Sequence, residues 1–388
     1  MIKIKDISLK KYSSRYGKDN NSFGQPLGVK SIVIVSVRSY CGLVRSHELY
    51  AGIYVPELIE NLVNYISPLY LEKDLNDINE LENIKSIPFI CNSGLFKSIK
   101  GAIDSCILQL IFLKNNVPLV EGLKNLLIDD IKDFENNPNN KFYASGGSVT
   151  YNSNECIEDL KNSLNFDGFK MRCGYQYFDA DIKRVKDVYS YIKSNSIDFF
   201  LMIDFIQGTL NPKLSQINLE KYLKFLNNYN ILWFEESQDP DNYLLYKNIP
   251  KELRKKFSLG ESFTCMNEYI AYQDILKIFQ IDVTHLGGFL EAIKVLNYFS
   301  EKKDVFFTSH IWGSNLALIL NLALFKACNL IKWFEVPILD FDINKHLFKN
   351  NILDIRNISD SEIDMLLSNI NLEIDPNYEF VPGSGYKI

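Results

Sequence analysis

The chain has 388 residues, a formal net charge of −6, 46% hydrophobic residues and 23% charged ones. That length suits one large domain with a smaller one, and the composition is that of a folded globular protein, which excludes disorder and low complexity. The charge is spread thinly with no basic run, which excludes nucleic acid as a partner, because counterion release needs clustered Lys and Arg.

The first six residues have no continuous apolar core, so no signal peptide is expected. The longest uncharged stretch, residues 309–325, is too short and too broken by Ser and Asn to span a bilayer, so no membrane partner is expected. Seven scattered cysteines, an odd number without a Cys-x-x-Cys pair, fit reduced thiols in a cytoplasmic protein rather than a disulfide frame or a zinc site.

Taken in order, residues 2–9 and 31–37 read as paired strands, with a polar, Gly-containing loop at 12–28 between them. Residues 55–66 predict a helix, with Pro56 in its first turn and Leu58, Ile59, Leu62, Val63 and Ile66 on one face. Residues 101–113 predict a second helix, apolar nearly all round and therefore buried. The acidic, Asn-rich stretch 129–140 marks a boundary.

From Lys141 the pattern becomes strand, helix, strand, helix. Strands are expected at 142–145, 166–171, 199–204, 231–235, 257–261, 278–282, 305–310 and 331–335. Helices are expected around 156–164, 182–192, 219–229, 269–277, 289–298 and 315–328. Eight short apolar strands alternating with helices predict a closed parallel β/α barrel. An open doubly wound sheet would call for a Gly-x-Gly-x-x-Gly turn or a P-loop, and neither is present.

Nearly every barrel strand closes on an ionisable residue: Lys170 and Arg172, Asp204, Glu235, Glu261, Asp282, His310 and Glu335. Strand ends converge on one face of a barrel, where such folds carry their chemistry. A polar strand end can equally mark the solvent boundary, but that does not explain a division into bases, acids and a central acidic trio. Asp204, Glu235 and Glu261 are hard oxygen ligands on successive strands, suited to Mg²⁺ more than to zinc, which prefers His and Cys. Lys170 and Arg172 are two apart and point the same way. Asp282 and His310 can form a carboxylate–imidazole dyad, the acid fixing the tautomer and raising the ring's basicity.

The chain resembles the enolase superfamily, and within it the mandelate racemase-like acid sugar dehydratases and racemases. The residues that carry the resemblance are Gly168-Phe169-Lys170-Met171-Arg172, Met202-Ile203-Asp204, Phe234-Glu235-Glu236, Leu259-Gly260-Glu261, Asp282-Val283-Thr284-His285-Leu286-Gly287-Gly288, Ser309-His310-Ile311-Trp312 and Trp333-Phe334-Glu335-Val336-Pro337. The resemblance implies an α/β fold, a (β/α)7β barrel under an α+β capping domain. Residues 1–128 would form the capping domain, 129–345 the barrel, and 346–388 a tail packed on the capping domain. It also implies one Mg²⁺ on Asp204, Glu235 and Glu261, and His310 with Asp282 handling protons. Lys170 would lie beside the substrate carboxylate, with Glu335 hydrogen-bonded to one of its oxygens. Substrate contacts would come from Ser46, His47, Tyr143, Ile206 and Trp312, with the 12–28 loop closing over them. A small carboxylate substrate and a homo-oligomer are implied as well.

Three positions depart from the family pattern, one of them Ser237, where a Pro is usual after Glu235-Glu236. Arg172 stands where a second Lys is usual, and deprotonating an arginine at neutral pH costs roughly 7 kcal/mol. Only one face of the substrate then has a competent base, which favours dehydration of a 2,3-dihydroxy acid over racemisation. Ile206 replaces a usual Asn and implies a less polar pocket. Racemase, epimerase or cycloisomerase chemistry at the same site, or a binding protein without catalysis, are the alternatives.

Overall fold

The computed structural model describes residues 2–15, 29–84, 93–132, 140–148, 151–174, 178–195, 197–206, 223–338, 341–348 and 354–384. Two sheets account for its strands. The first is a four-stranded antiparallel sheet, in the order β3-β2-β1-β4, built from β1 (Ile2–Ser14), β2 (Lys30–Ser39), β3 (Val44–Glu48) and β4 (Asp74–Leu75). The β-branched run Ile32 to Val35 of β2 is fully buried, with the helix Gly94–Lys114 and the turn Tyr50–Ile53 both packed on the strand.

The second sheet is a closed parallel barrel of β5 (Lys141–Gly146), β6 (Gly168–Arg172), β7 (Phe200–Asp204), β8 (Ile231–Glu235), β9 (Phe257–Leu259), β10 (Ile278–Ile281), β11 (Phe306–Ser309) and β12 (Ile331–Pro337). β12 pairs with β5, which closes the ring. The expected eight strands and their order are all present, so the architecture is an α/β barrel with a separate antiparallel capping sheet. Low in the barrel, Tyr143, Met202, Trp233, Ile278 and Trp333 form an interior cluster, with ring centroids of Tyr143 and Trp233 5.3 Å apart and of the two tryptophans 5.8 Å apart. This aromatic plug fills the bore below the charged residues.

Capping sheet and barrel meet through backbone. The helix Gly94–Lys114 crosses the start of the barrel helix Gly288–Phe299 so closely that a Cβ on Gly101 would fall 1.9 Å from the carbonyl carbon of Gly287. Ser105 Oγ accepts a hydrogen bond from Phe289 N at 2.9 Å, satisfying one of the exposed N–H groups of that helix start.

Several boundaries differ from the sequence reading. β1 runs on to Ser14, so Tyr12 to Ser14 are strand rather than loop, because β2 supplies ladder partners as far as Ser14 opposite Lys30. Residues 16–28, the rest of that expected loop, lie outside the described residues, as do 133–139 of the expected boundary and 207–222 at the start of one expected helix. The second capping helix begins at Gly94, seven residues earlier than expected. The helix expected at 269–277 spans Met266–Tyr272, because the carboxylate of Glu268 caps the backbone N–H of Cys265 at 2.8 Å and starts it early.

The tail touches both parts. Tyr12 donates to the carbonyl of Leu372 at 3.0 Å and Ser384 bonds Ser13 and Ser31 of the capping sheet. The tail helix Asp360–Ser368 reaches the barrel side as well, with Asp360 3.1 Å from Lys326 of the helix Asn315–Ala327. No helix among the described residues is long and apolar enough to cross a membrane. The six described cysteines are all free.

Candidate active site

The strand ends deliver the charged residues to one rim. Arg172, Asp204 and Glu235 close β6, β7 and β8 and are register partners in sequence across the three strands. Glu261 follows β9 by two residues, Asp282 and His310 follow β10 and β11 by one, and Glu335 sits in β12. All of these, with Lys170, are at most 6% exposed.

Lys170 is the hub. Its ammonium bonds Glu235 Oε1, lies 2.8 Å from Glu335 Oε1 and 3.8 Å from Asp204 Oδ2. Burial works against its charge, but Glu235 and Glu335 outweigh that and hold Lys170 well above the usual lysine range. Glu235 moves the other way: burial pushes it up to about 8, since the attraction of Lys170 is offset by Asp204, Glu335 and Glu261. Five acids (Asp204, Glu235, Glu261, Asp282 and Glu335) thus face three basic groups, Lys170, Arg172 and His310. The result is a hole of excess negative charge.

That surplus, with three hard oxygen donors on adjacent strands, fits a divalent cation such as Mg²⁺. Among the described residues no three His, Cys, Asp or Glu side chains are gathered as a ready cage. The acids instead lean on the local cations, Glu235 on Lys170 and Glu261 on His310, whose Nε2 is 3.4 Å from Glu261 Oε2. Asp204 is already aimed by the backbone: Ile206 N donates to its Oδ1 at 2.7 Å.

The dyad is formed. His310 Nδ1 lies 3.0 Å from Asp282 Oδ2, and an ionised carboxylate only accepts, so Nδ1 carries the proton. Asp282 Oδ1 accepts from Thr284 N at 2.8 Å, Thr284 Oγ1 at 2.7 Å and Asn321 Nδ2 at 2.9 Å. Burial would raise the Asp282 pKa, but the bonds from His310, Thr284 and Asn321 hold it below the usual carboxylate value. Burial alone would lower His310; the charges of Glu261, Asp282 and Glu335 raise it to about 9.

Arg172 points into the same space from the other side. It donates to Ser145 Oγ at 3.2 Å and to the carbonyl of Gly146 at 3.3 Å, its Nε is 3.8 Å from Asp204, and its guanidinium stacks 5.4 Å from the centroid of Trp312. Lys30 of β2 lies over the same indole at 4.2 Å. Lys170 and His310 override burial and hold Glu335 below the usual carboxylate value, and it accepts from Ile311 N at 3.0 Å.

The expected substrate contacts are more scattered. Ile206 and Trp312 flank the charged rim, Ile206 through its backbone and Trp312 through its ring. Tyr143 belongs to the aromatic plug below Lys170, with its ring 5.6 Å from the ammonium and its hydroxyl donating to the carbonyl of Ser309 at 3.1 Å. Ser46 bonds Ser36 across the capping strands at 2.7 Å. His47 is fully buried edge-on against Phe289, bonded to the carbonyl of Glu48, and burial lowers it to about 4.

Sequence reasoning passed over three residues at this site. Tyr50 packs edge-on against His310, centroids 5.4 Å apart, and its hydroxyl bonds that of Tyr54 at 2.9 Å. Tyr50 N also donates to the carbonyl of Thr284 at 3.1 Å, tying the capping unit to the Asp282 loop. Asn321 was legible: it is a lone buried amide in the apolar middle of the helix Asn315–Ala327.

Comparisons with known proteins agree with this fold. Along the whole chain, a superfamily member from Polaromonas sp. JS666 superposes with a TM-score of 0.75 at 18% identity, each chain fully covered. The 3,6-anhydro-D-galactonate cycloisomerase of Zobellia galactanivorans gives 0.71 at 19% identity, with 95% of this chain and 99% of that one covered. L-talarate dehydratase from Polaromonas sp. JS666 gives 0.69 at 17% identity, with 90% of each covered. At such identities these likenesses speak to the fold. Residues 154–358, more than half the chain, match the family described as enolase C-terminal domain-like, and the chain belongs to that family of the enolase superfamily.

Proposed function

We propose that the protein is a Mg²⁺-dependent hydro-lyase that removes the proton α to a carboxylate and eliminates the 3-hydroxyl of a sugar acid or related hydroxy acid. The observation that carries this reading is the asymmetry across the acidic hole. One side has an imidazole backed by an anchored carboxylate, and the other has Arg172, which stays protonated. Asp204, Glu235 and Glu261 would hold Mg²⁺, which when bound supplies positive charge against the anion that develops on the substrate carboxylate.

A cation held by Glu261 would offset the largest charge that raises His310, and the neutral ring, its Nδ1–H fixed by Asp282, then takes the α-proton on Nε2. The C3–O bond then breaks and the same imidazolium returns its proton to the leaving oxygen, so water departs and an enol remains that tautomerises to a 2-keto acid. Lys170 and Arg172 add positive charge beside the substrate carboxylate. Residues 1–128, 129–345 and 346–388 are the division into cap, barrel and tail that goes with this reading. The talarate dehydratase neighbour, complexed with Mg and L-glucarate, supports a sugar-acid substrate.

The test is a screen of acid sugars for 2-keto acid formation. Activity is expected to vanish with EDTA and return with Mg²⁺, and His310→Asn should form no product. A fully active His310→Asn enzyme overturns the mechanism. Deuterium entering the α-position in D₂O without loss of hydroxyl would instead favour epimerisation.

A further inference from the structure

Glu48 closes β3 of the capping sheet, is 1% exposed, and reaches across to the barrel. Its Oε1 accepts from Ser314 N at 2.9 Å, its Oε2 lies 3.2 Å from the same N, and the Ser314 hydroxyl bonds Oε2. Ser314 is the N-cap of the helix Asn315–Ala327, its Oγ accepting from Leu316 N at 3.2 Å. The carboxylate presses on the backbone just before it: a Cβ on Gly313 would sit 2.5 Å from Glu48 Oε1. An acid at a helix N-terminus satisfies N–H groups that have no partner within the helix and meets the positive end of its dipole.

Two parts of the dyad hang from this helix start. The segment leading into it is His310-Ile311-Trp312-Gly313. Almost two turns on from Ser314, Asn321 donates to Asp282 Oδ1 at 2.9 Å and accepts from Val283 N at 3.0 Å. The position of the helix end therefore sets both the histidine and the acid that orients it. We propose that Glu48 is a positioning residue for the site, its carboxylate clamping the loop that carries His310 and Trp312 to the capping sheet. The clamp makes the proton-transfer geometry depend on the cap being seated.

Burial raises Glu48 to about 7, against the hydrogen bonds from Ser314 and with the charge of Asp282 adding to the rise. The neutral acid keeps the clamp, since one oxygen still accepts Ser314 N–H while its own hydroxyl donates to Ser314 Oγ. Glu48→Gln reproduces that arrangement; Glu48→Ala removes it.

The test reads the loop itself and needs no substrate. Trp312 is half-buried, whereas Trp233 and Trp333, the other two tryptophans, are buried in the barrel plug. Acrylamide quenching of fluorescence therefore reports on the clamped loop. Ser314→Ala should still fold, since losing an N-cap costs about 1 kcal/mol. It should raise the quenching constant roughly twofold as the loop opens locally. Glu48→Ala should do the same, and combining the two should add little, while Glu48→Gln stays at the wild-type value. In ¹⁵N-labelled protein the His310 ring signals, among four histidines, should move with Ser314→Ala and Glu48→Ala and hold in Glu48→Gln. Folded Ser314→Ala with wild-type quenching and unmoved His310 signals overturns the proposal, as do fully additive effects in the double variant. The catalytic consequence rests on the role proposed for His310; the fluorescence and NMR outcomes stand whatever the reaction is.

Discussion

Asp282 holds His310 at 3.0 Å through one carboxylate oxygen while Thr284 and Asn321 saturate the other, so the imidazole is oriented by a group that cannot itself turn. Asp282→Asn keeps the shape but lets the ring take the wrong tautomer and removes a charge that raises its basicity. The rate of α-proton removal, measured by NMR in D₂O on an acid turned over by the wild type, should fall by roughly 10²- to 10⁴-fold. A loss under threefold would mean that the dyad is not the base.

Lys170 is paired with Glu235 and Glu335 in a dry setting. Lys170→Met leaves those carboxylates buried without their cation, which should lower metal-free stability by about 3–5 kcal/mol in urea unfolding. Saturating Mg²⁺ should recover part of that loss, because it meets the same surplus charge. If Mg²⁺ leaves the variant's midpoint unchanged, the acids do not form a cation site.

Ile206 adopts φ +51°, a left-handed conformation that a β-branched residue tolerates poorly, in order to turn its N–H onto Asp204. Asn accepts that conformation and keeps the backbone donor. Ile206→Asn should therefore stabilise the fold by about 1 kcal/mol, read as a higher thermal midpoint. A lower midpoint would show that the isoleucine side chain contributes more than its backbone strain costs.

Glu48 has a raised folded-state pKa, about 7 against an ordinary 4.5, so the native state holds its proton more tightly than the unfolded chain. Its contribution to stability is accordingly lost as pH rises from the unfolded value through 7, by an amount on the order of 3 kcal/mol. Glu48→Gln cannot ionise. It should match the wild type in urea at pH 4 and exceed it at pH 8, and equal stability at both pH values would contradict this assignment.

The barrel was legible because most of its strands are buried on both faces and so read as short apolar runs that close on an ionisable residue. Phe200–Asp204 and Ile231–Glu235 differ from the sequence reading by at most one residue for that reason. The last residues of β1 were not legible: Lys10 to Ser14 alternate poorly, and they are strand only because β2 offers partners across the sheet. Site residues on the barrel strands were legible for the same reason as the strands. Glu48 and Tyr50 were not, since they reach His310 and its loop only through contacts between capping unit and barrel, such as Tyr50 N to Thr284, that no local pattern encodes, and Tyr54 is bonded behind Tyr50. Ser46 and His47, two and one residues before Glu48, were singled out instead; the strand turns their side chains to Ser36 and to Phe289.

The aromatic plug of Tyr143, Trp233 and Trp333 sits beneath Lys170, with the Tyr143 ring 5.6 Å from the ammonium. A floor of rings in place of water lowers the local dielectric there, so the charges of the rim act on one another more strongly than they would across solvent.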